Sequence, residues 1–288
     1  MLCYTFCMKE ENNKKVIAIC YDFDKTLGNE ESCWSYGFFD KLGVTEEQYW
    51  KEKNNSETLK NMDPILSFLY FSIYKAKKCG VPFKKKDIEA VGKDLTYYKG
   101  VESWFERINN YALKKGYVVE HYMISAGLKE VLENCSIAKY FKRIYANSYI
   151  YDNEGNPIWP ANVVNSTEKT QYIFRINKGI LNENDPKVND KTLVKRIPFC
   201  NMIYIGDSFT DIPCMSIMVN NGGTSIGVYD DLPAKRELML DLFKKERINN
   251  FCKADYSEGS EVETVVKYTI DKIKQNDDLK KKIEDLTK

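Results

Sequence analysis

The apolar run Val16-Ile17-Ala18-Ile19-Cys20-Tyr21 leads directly into Asp22-Phe23-Asp24-Lys25-Thr26. A short run of this kind, closed by polar residues, reads as a strand. Alternate side chains of a strand share a face, so Asp22 and Asp24 point one way and Phe23 points the other. Two carboxylates side by side repel, and burying them together is costly unless a cation or a shared proton offsets the charge. One Asp-x-Asp by itself is also what a solvated turn at a strand end looks like. The remaining segments decide between a built site and an inert turn.

Bulk properties narrow the alternatives. A chain of 288 residues exceeds the usual single-domain size, so one large domain or a core with an insertion is expected. The 43% of hydrophobic residues can bury a substantial core. Lys and Arg number 43 against 42 Asp and Glu, a formal charge of +1, with no basic face to recommend nucleic acid as a partner. The apolar stretches fall far short of a membrane span, so no membrane partner is expected. Met1-Leu2-Cys3-Tyr4-Thr5-Phe6-Cys7-Met8 is short and runs into Lys9-Glu10-Glu11-Asn12-Asn13, which does not read as a signal peptide. Nine cysteines, an odd number without CxxC spacing, point to reduced thiols and a cytoplasmic protein rather than a disulfide frame or zinc site.

Strands alternate with helices along the chain. From about Glu30 to Asp94 only helix signals occur, the clearest at Asp63-Pro64, an N-cap followed by proline at the first helical position. That helix is expected to run to Lys78 and close at Gly80. Val101, Trp104, Phe105, Ile108, Tyr111 and Ala112 form a helical stripe ending at Lys114-Lys115-Gly116. Tyr117 to Ile124 reads as a buried strand stopping at Ser125-Ala126-Gly127, with a helix from Leu128 to about Asn134. Arg143 to Tyr151 reads as a strand, Asp152 to Pro157 as a turn and Thr167 to Lys178 as a helix closed by Gly179. Asn182 to Asp190 is a polar loop that could add contacts near a site. Asn201 to Ile205 is a strand ending in Gly206-Asp207-Ser208, a helix starts near Asp211, Thr224 to Val228 is a short strand, and helices fill the rest. The alternation predicts an α/β fold: a Rossmann-like, doubly wound, mainly parallel sheet with helices on both faces, plus a small α-helical cap domain. The division expected is residues 1–29 and 99–288 as core and 30–98 as cap. In such sheets the site lies at the carboxyl ends of the strands.

The chemically suggestive residues lie at strand ends or helix starts. Asp22 and Asp24 end the first strand, Ser125 the second and Asp207 a later one, while Lys169 lies in the first turn of a helix. A cation there opposes the helix dipole and makes sense if it meets an anion that the helix amides also bind. Carboxylates and water suit Mg²⁺, a lysine and a hydroxyl suit phosphate oxygens, and a carboxylate can attack phosphorus.

Asp22-Phe23-Asp24-Lys25-Thr26, Ser125-Ala126-Gly127, Lys169 and Gly206-Asp207-Ser208-Phe209-Thr210-Asp211 resemble, in order, the four motifs of the haloacid dehalogenase-like (HAD) hydrolase superfamily. The pattern is most similar to its phosphoserine-phosphatase-like branch, with a helical cap after the first motif, and spans about Val16 to Asp230. The resemblance implies Asp22 as nucleophile and Mg²⁺ ligand, and Asp24 as general acid and then base, its main-chain carbonyl also on the metal. It implies Asp207 as a further metal ligand, Lys169 as the neutralising cation, and Ser125 with the Ala126 and Gly127 amides as phosphate contacts. Thr26 is expected to hold the loop after the nucleophile, beside the phosphate. Asp211 would hold a metal-bound water or orient Lys169, and Ser208 would touch the water shell.

Each position also has a structural reading. Ser125 could cap the following helix, Asp211 the helix beginning Ile212-Pro213, and Lys178 is a rival to Lys169 at the other end of the same helix. His121, the single histidine, rules against a Ser–His–Asp or His-based metal site and is expected to serve packing or a structural hydrogen bond. Trp34, Tyr36, Phe38 and Phe39 could line a substrate pocket, with helix packing the simpler reading. The expected function is a Mg²⁺-dependent phosphatase acting on a small phosphorylated metabolite through an aspartyl-phosphate. Transfer to an acceptor other than water, and a catalytically silent phosphate- or metabolite-binding regulator, are the alternatives.

Overall fold

The computed structural model of the chain describes residues 15–30 and 37–287. Seven strands form one sheet: β1 (Lys15–Tyr21), β2 (Tyr117–Leu128), β3 (Phe141–Tyr151), β4 (Pro157–Asn162), β5 (Met202–Gly206), β6 (Thr224–Tyr229) and β7 (Asn250–Lys253). Their spatial order is β4-β3-β2-β1-β5-β6-β7, and every neighbouring pair is parallel except β3 with β4. The first half of the chain winds outward from β1 through β2 to β3. The second half returns to the other side of β1 with β5 and winds through β6 to β7. Winding therefore reverses between β1 and β5, the crevice where open α/β sheets take their ligands.

Helices among the described residues are α1 (Phe38–Leu42), α2 (Glu46–Asn54), α3 (Pro64–Cys79), α4 (Lys85–Val91) and α5 (Val101–Lys114) in the first part of the chain. They are followed by α6 (Lys129–Leu132), α7 (Glu168–Lys178), α8 (Ile212–Asn220), α9 (Pro233–Lys244) and α10 (Glu261–Leu286). The alternation of β1 divides the core. Ile17, Ile19, Tyr21 and Phe23 enter the layer under α5 and α10, while Ala18 and Cys20 enter the layer under α7, α8 and α9. The same parity sends Asp22 toward the α7 side, where it meets Lys169, with Phe23 buried opposite.

A fully satisfied polar string crosses the first layer. Trp104 Nε1 donates to the Tyr21 hydroxyl at 2.9 Å, Tyr21 lies 3.0 Å from His121 Nδ1, and His121 Nε2 lies 2.9 Å from Asn109 Oδ1. Burial pushes the His121 pKa down to about 3, so the imidazole is neutral and structural, as its sequence context suggested.

The helices α1 to α4 occupy the connection between β1 and α5. Asp63 Oδ1 accepts from the Ile65 and Leu66 amides, each at 2.9 Å, and starts α3. Gly80 ends it at φ +67°, a left-handed cap that a side chain would strain. This helix rests on the β3–β4 hairpin: the Tyr149 hydroxyl donates to Leu69 O at 3.1 Å and the Tyr70 and Trp159 rings lie 5.7 Å apart.

Three sequence expectations change. β4 follows the Asp152–Pro157 turn as an antiparallel edge strand, where its prolines are tolerated. β7, four residues long, lies where only helix was expected. β2 does not stop at Ser125 but continues to Leu128, with irregular pairing to β3 between Ile124 and Leu128, and α6 is shorter than expected. Ser125 is thus no helix cap. Trp34 and Tyr36 lie outside the described residues, whereas Phe38 and Phe39 pack among the rings of Tyr49 and Phe83. No helix among the described residues is long and apolar enough to cross a membrane.

Candidate active site

The end of β1 is pinned to its neighbour by the Asp22 amide, which donates to Ile205 O at 2.9 Å. The chain then curls, with Phe23 O accepting from the Thr26, Leu27 and Gly28 amides at 3.1, 2.9 and 2.9 Å. A Cβ on Gly28 would stand 2.8 Å from the Phe23 ring, so only glycine lets the curl close on that buried phenyl. Asp24 sits within this curl, bridged to Gly28 and half-buried.

Lys169 reaches the same place from the second residue of α7. Asn165 Oδ1 accepts from the Thr167 and Glu168 amides at 3.1 and 2.9 Å and fixes the start of that helix. The Lys169 ammonium, 1% exposed, lies 3.0 Å from Asp22 Oδ1 and 2.8 Å from Asp211 Oδ1. Burial disfavours the charged form, but Asp211 and Asp22 outweigh it and hold the pKa well above that of an ordinary lysine. Lys178 is turned to other work, its ammonium donating to Val188 O and Asp190 O at 2.6 and 3.0 Å. It lies about 13 Å farther along the helix at 1.5 Å per residue. Arg175 binds the carbonyls of Asn182, Glu183 and Asp185 on that same end, so the Asn182–Asp190 loop packs at the C-terminal end of α7, away from Lys169.

Asp211 has both oxygens committed. Oδ1 accepts from Lys169 and, at 2.7 Å, from the Tyr204 hydroxyl. Oδ2 accepts from the Asp207 amide, the Ser208 amide and the Ser208 hydroxyl at 3.2, 3.1 and 3.0 Å. Burial would raise its pKa, yet Lys169 and these donors hold it below the usual carboxylate range. Gly206 is required here, since a Cβ would stand 2.7 Å from the Asp211 carboxyl carbon. The residue therefore orients Lys169 and ties down the turn after β5, and the Ser208 hydroxyl serves that turn.

Asp207 is open by comparison. Among the described residues Oδ1 meets only the Thr26 hydroxyl, at 3.4 Å, and Oδ2 accepts from Lys235 Nζ at 2.7 Å. Burial and then Asp211 push its pKa up to about 6, against the pull of Lys235. Burial, followed by Asp211, also drives Asp22 well above the ordinary range, with Lys169 opposing and Asp207 and Asp24 adding to the rise. The carboxylates of Asp22, Asp207 and Asp211 present oxygens within 4.8 Å of one another. With Asp211 saturated by its five donors, Asp22 and Asp207 are the carboxylates that could hold an ion, an all-oxygen pair that fits a hard divalent cation.

Ser125 is fully buried, and its hydroxyl accepts from the Gly127 amide at 2.9 Å. β1 and β2 pair Tyr21 with Met123, which sets Ser125 one step past the level of Asp22. Gly127 thus supports the serine rather than presenting its amide, and Ala126 O accepts from Asn147 Nδ2. The sequence reading missed Lys235, Tyr204 and Asn165. Lys235 carries the anomaly that singled out Lys169, a lysine in a first helical turn, here just after Leu232-Pro233. Tyr204 stands alone as a polar side chain in a buried aliphatic strand, where its hydroxyl requires a partner.

No family model matches the chain. A protein of Borreliella burgdorferi, described as uncharacterized, is 28% identical across 88% of this chain and 96% of its own length. A substrate-bound phosphoserine phosphatase superposes with a TM-score of 0.54 at 18% identity, over 89% of this chain and 99% of that one. A HAD family hydrolase from Salmonella enterica serovar Typhi gives 0.53 at 20% identity, over 79% and 67%. The fold is that of the HAD hydrolases. In this fold the sheet carries the Asp22 curl, Ser125 and Asp207 on three adjacent strands, with Lys169 delivered from a covering helix.

Proposed function

We propose that the protein is a Mg²⁺-dependent phosphatase that hydrolyses a small phosphorylated metabolite through an aspartyl-phosphate on Asp22. The observation that carries this reading is the Lys169 ammonium held between Asp22 and Asp211, with Asp207 in the same cluster. A metabolite-binding regulator needs no such buried nucleophile–cation pair. Likeness to phosphoserine phosphatases lends support at the level of fold.

In this reading Asp22, Asp207 and the main-chain carbonyl of Asp24 hold the ion, which supplies positive charge to the phosphoryl oxygens. An Asp22 carboxylate oxygen bonds to phosphorus as the bond to the leaving oxygen breaks, and Asp24 gives that oxygen its proton. Asp24, now a carboxylate, removes a proton from water as the water oxygen attacks phosphorus. The bond between Asp22 and phosphorus breaks, phosphate leaves, and both aspartates regain their starting protonation. Lys169 and the Ser125 hydroxyl stabilise charge on the transferring group, where fixed donors contribute most to phosphoryl transfer. Residues 30–98 act as the cap that closes over the crevice and excludes water. The cytoplasm, which holds both Mg²⁺ and phosphorylated metabolites, is the fitting compartment.

The test is a panel of phosphorylated metabolites assayed with and without Mg²⁺, with Asp22→Asn as control. Mg²⁺-dependent phosphate release that Asp22→Asn abolishes supports the proposal. Turnover that survives in Asp22→Asn contradicts the mechanism, and silence across the panel favours a binding role.

A further inference from the structure

The phosphatase reading leaves Lys235 without a task. It is the third residue of α9, and its ammonium lies 2.7 Å from Asp207 Oδ2. The helix dipole opposes a cation at this position, so local structure does not account for it. Acidic groups do: Asp207 first, with Asp230 and Asp211 also near enough to act on it. Lys235 differs from Lys169 in two respects. Lys169 is held by two carboxylates and is sealed from solvent, whereas the Lys235 side chain is 31% exposed and bonded to one. Lys235 is therefore the less constrained of the two.

Asp207 is also the carboxylate that the proposed ion requires. A hydrogen-bond partner behind a metal ligand ordinarily strengthens binding, and its loss costs about 10–100-fold in affinity. Lys235 brings a full positive charge instead. Repulsion between an ammonium and a divalent cation sharing one buried carboxylate acts over a few ångströms at low effective dielectric, and it outweighs the orienting effect.

We propose that Lys235 is the counter-cation of the ion site: it holds Asp207 in place in the ion-free protein and opposes the divalent ion, which takes over as partner of that carboxylate. The displaced ammonium has Asp230, at the end of β6, as its next acidic neighbour. The inference rests on the ion site of the phosphatase reading but not on turnover, so binding alone tests it.

Calorimetric titration of Mg²⁺ into the substrate-free protein is the experiment, with Lys235→Met, Lys235→Arg and Asp207→Asn alongside wild type. Lys235→Met is expected to bind Mg²⁺ about tenfold tighter at low ionic strength, where the charge it removes is least screened. Lys235→Arg keeps the charge and is expected to stay near wild type, and Asp207→Asn to lose binding. In thermal melts, ion-free Lys235→Met should unfold at a lower temperature than wild type and gain more from added Mg²⁺. Equal or weaker Mg²⁺ affinity in Lys235→Met overturns the counter-cation assignment while leaving the ion site intact. Absence of Mg²⁺ binding in both wild type and Lys235→Met contradicts the ion site itself.

Discussion

A lysine sealed between Asp22 and Asp211 is stable only as part of that set. Removing one member leaves an uncompensated buried charge, which costs about 3–5 kcal/mol in comparable buried pairs. Lys169→Met should therefore lower the unfolding free energy by an amount of that order in denaturant titrations. Its turnover should drop by about 10²-fold or more, as when one fixed donor to a developing charge is lost. Unchanged stability would contradict the buried bridge. His121 gives a second test. Its pKa is about 3 in the folded protein against 6.5 as the reference value, so the unfolded chain takes up the proton first. Stability is thus complete above pH 6.5 and falls as pH drops toward 3, by about 1.4 kcal/mol per pH unit. Asp207 has the opposite sign: its raised pKa means that the ion-free protein loses stability as pH climbs from about 4 toward 6. A urea series from pH 7.5 to 4.5 on wild type and His121→Gln separates the two, because the substitution removes the histidine slope alone. Equal slopes in the two proteins would contradict the neutral His121 string.

Residues whose chemistry is local were legible in the chain. Asp22, Asp24 and Asp207 lie at the ends of recognisable strands, and Lys169 stands against a helix dipole in plain view. Lys235 sits in an equally unfavourable first turn, but its partner lies 28 residues away and is paired with it only by the packing of α9 against the sheet. Asn165 was hidden differently: it binds the first amides of α7 from three residues ahead of Glu168, two residues before the Thr167 at which the helix was expected to begin.

Helix starts connect the elements to the site. Asp63 caps α3 with one oxygen and accepts from Asn165 Nδ2 at 3.2 Å with the other, while Asn165 in turn caps the helix that bears Lys169. Asp63→Ala should cost about 1 kcal/mol, the usual value of an N-cap. Asn165→Ala should cost a similar amount and also lower kcat, because the first turn of α7 positions the ammonium. A loss of stability without a loss of kcat in Asn165→Ala would show that Lys169 is placed by its carboxylates alone. Helices with strong caps, such as α3, were readable to within a residue or two. β4 and β7 were not, because one is a proline-bearing edge strand and the other is four residues long. Neither has the alternation from which a strand is recognised. β2 ran past its expected end because Ser125-Ala126-Gly127 resembles a turn in composition but is held extended by irregular pairing with β3.

At the scale of the molecule, strand–helix alternation was enough to foresee a parallel, doubly wound sheet, and the carboxyl-end rule placed the site in it. The sequence does not reveal that the helices α1 to α4 lean on the β3–β4 hairpin, since Tyr149 meets Leu69 and Tyr70 meets Trp159 across long separations. The buried charges make sense only in this assembled form: strands from both halves of the chain bring Asp22 beside Asp207, and α7 closes over them with Lys169. Such an arrangement is suited to forming and breaking a covalent phosphoryl bond at Asp22. Mixing the protein with Mg²⁺ and a turned-over phosphate ester, quenching in acid within milliseconds, and sequencing the peptides by mass spectrometry reads that bond directly. One phosphoryl group is expected on the Asp22 peptide, lost on alkaline treatment and absent from Asp22→Asn. Steady turnover with no adduct at Asp22, or an adduct elsewhere, would contradict it.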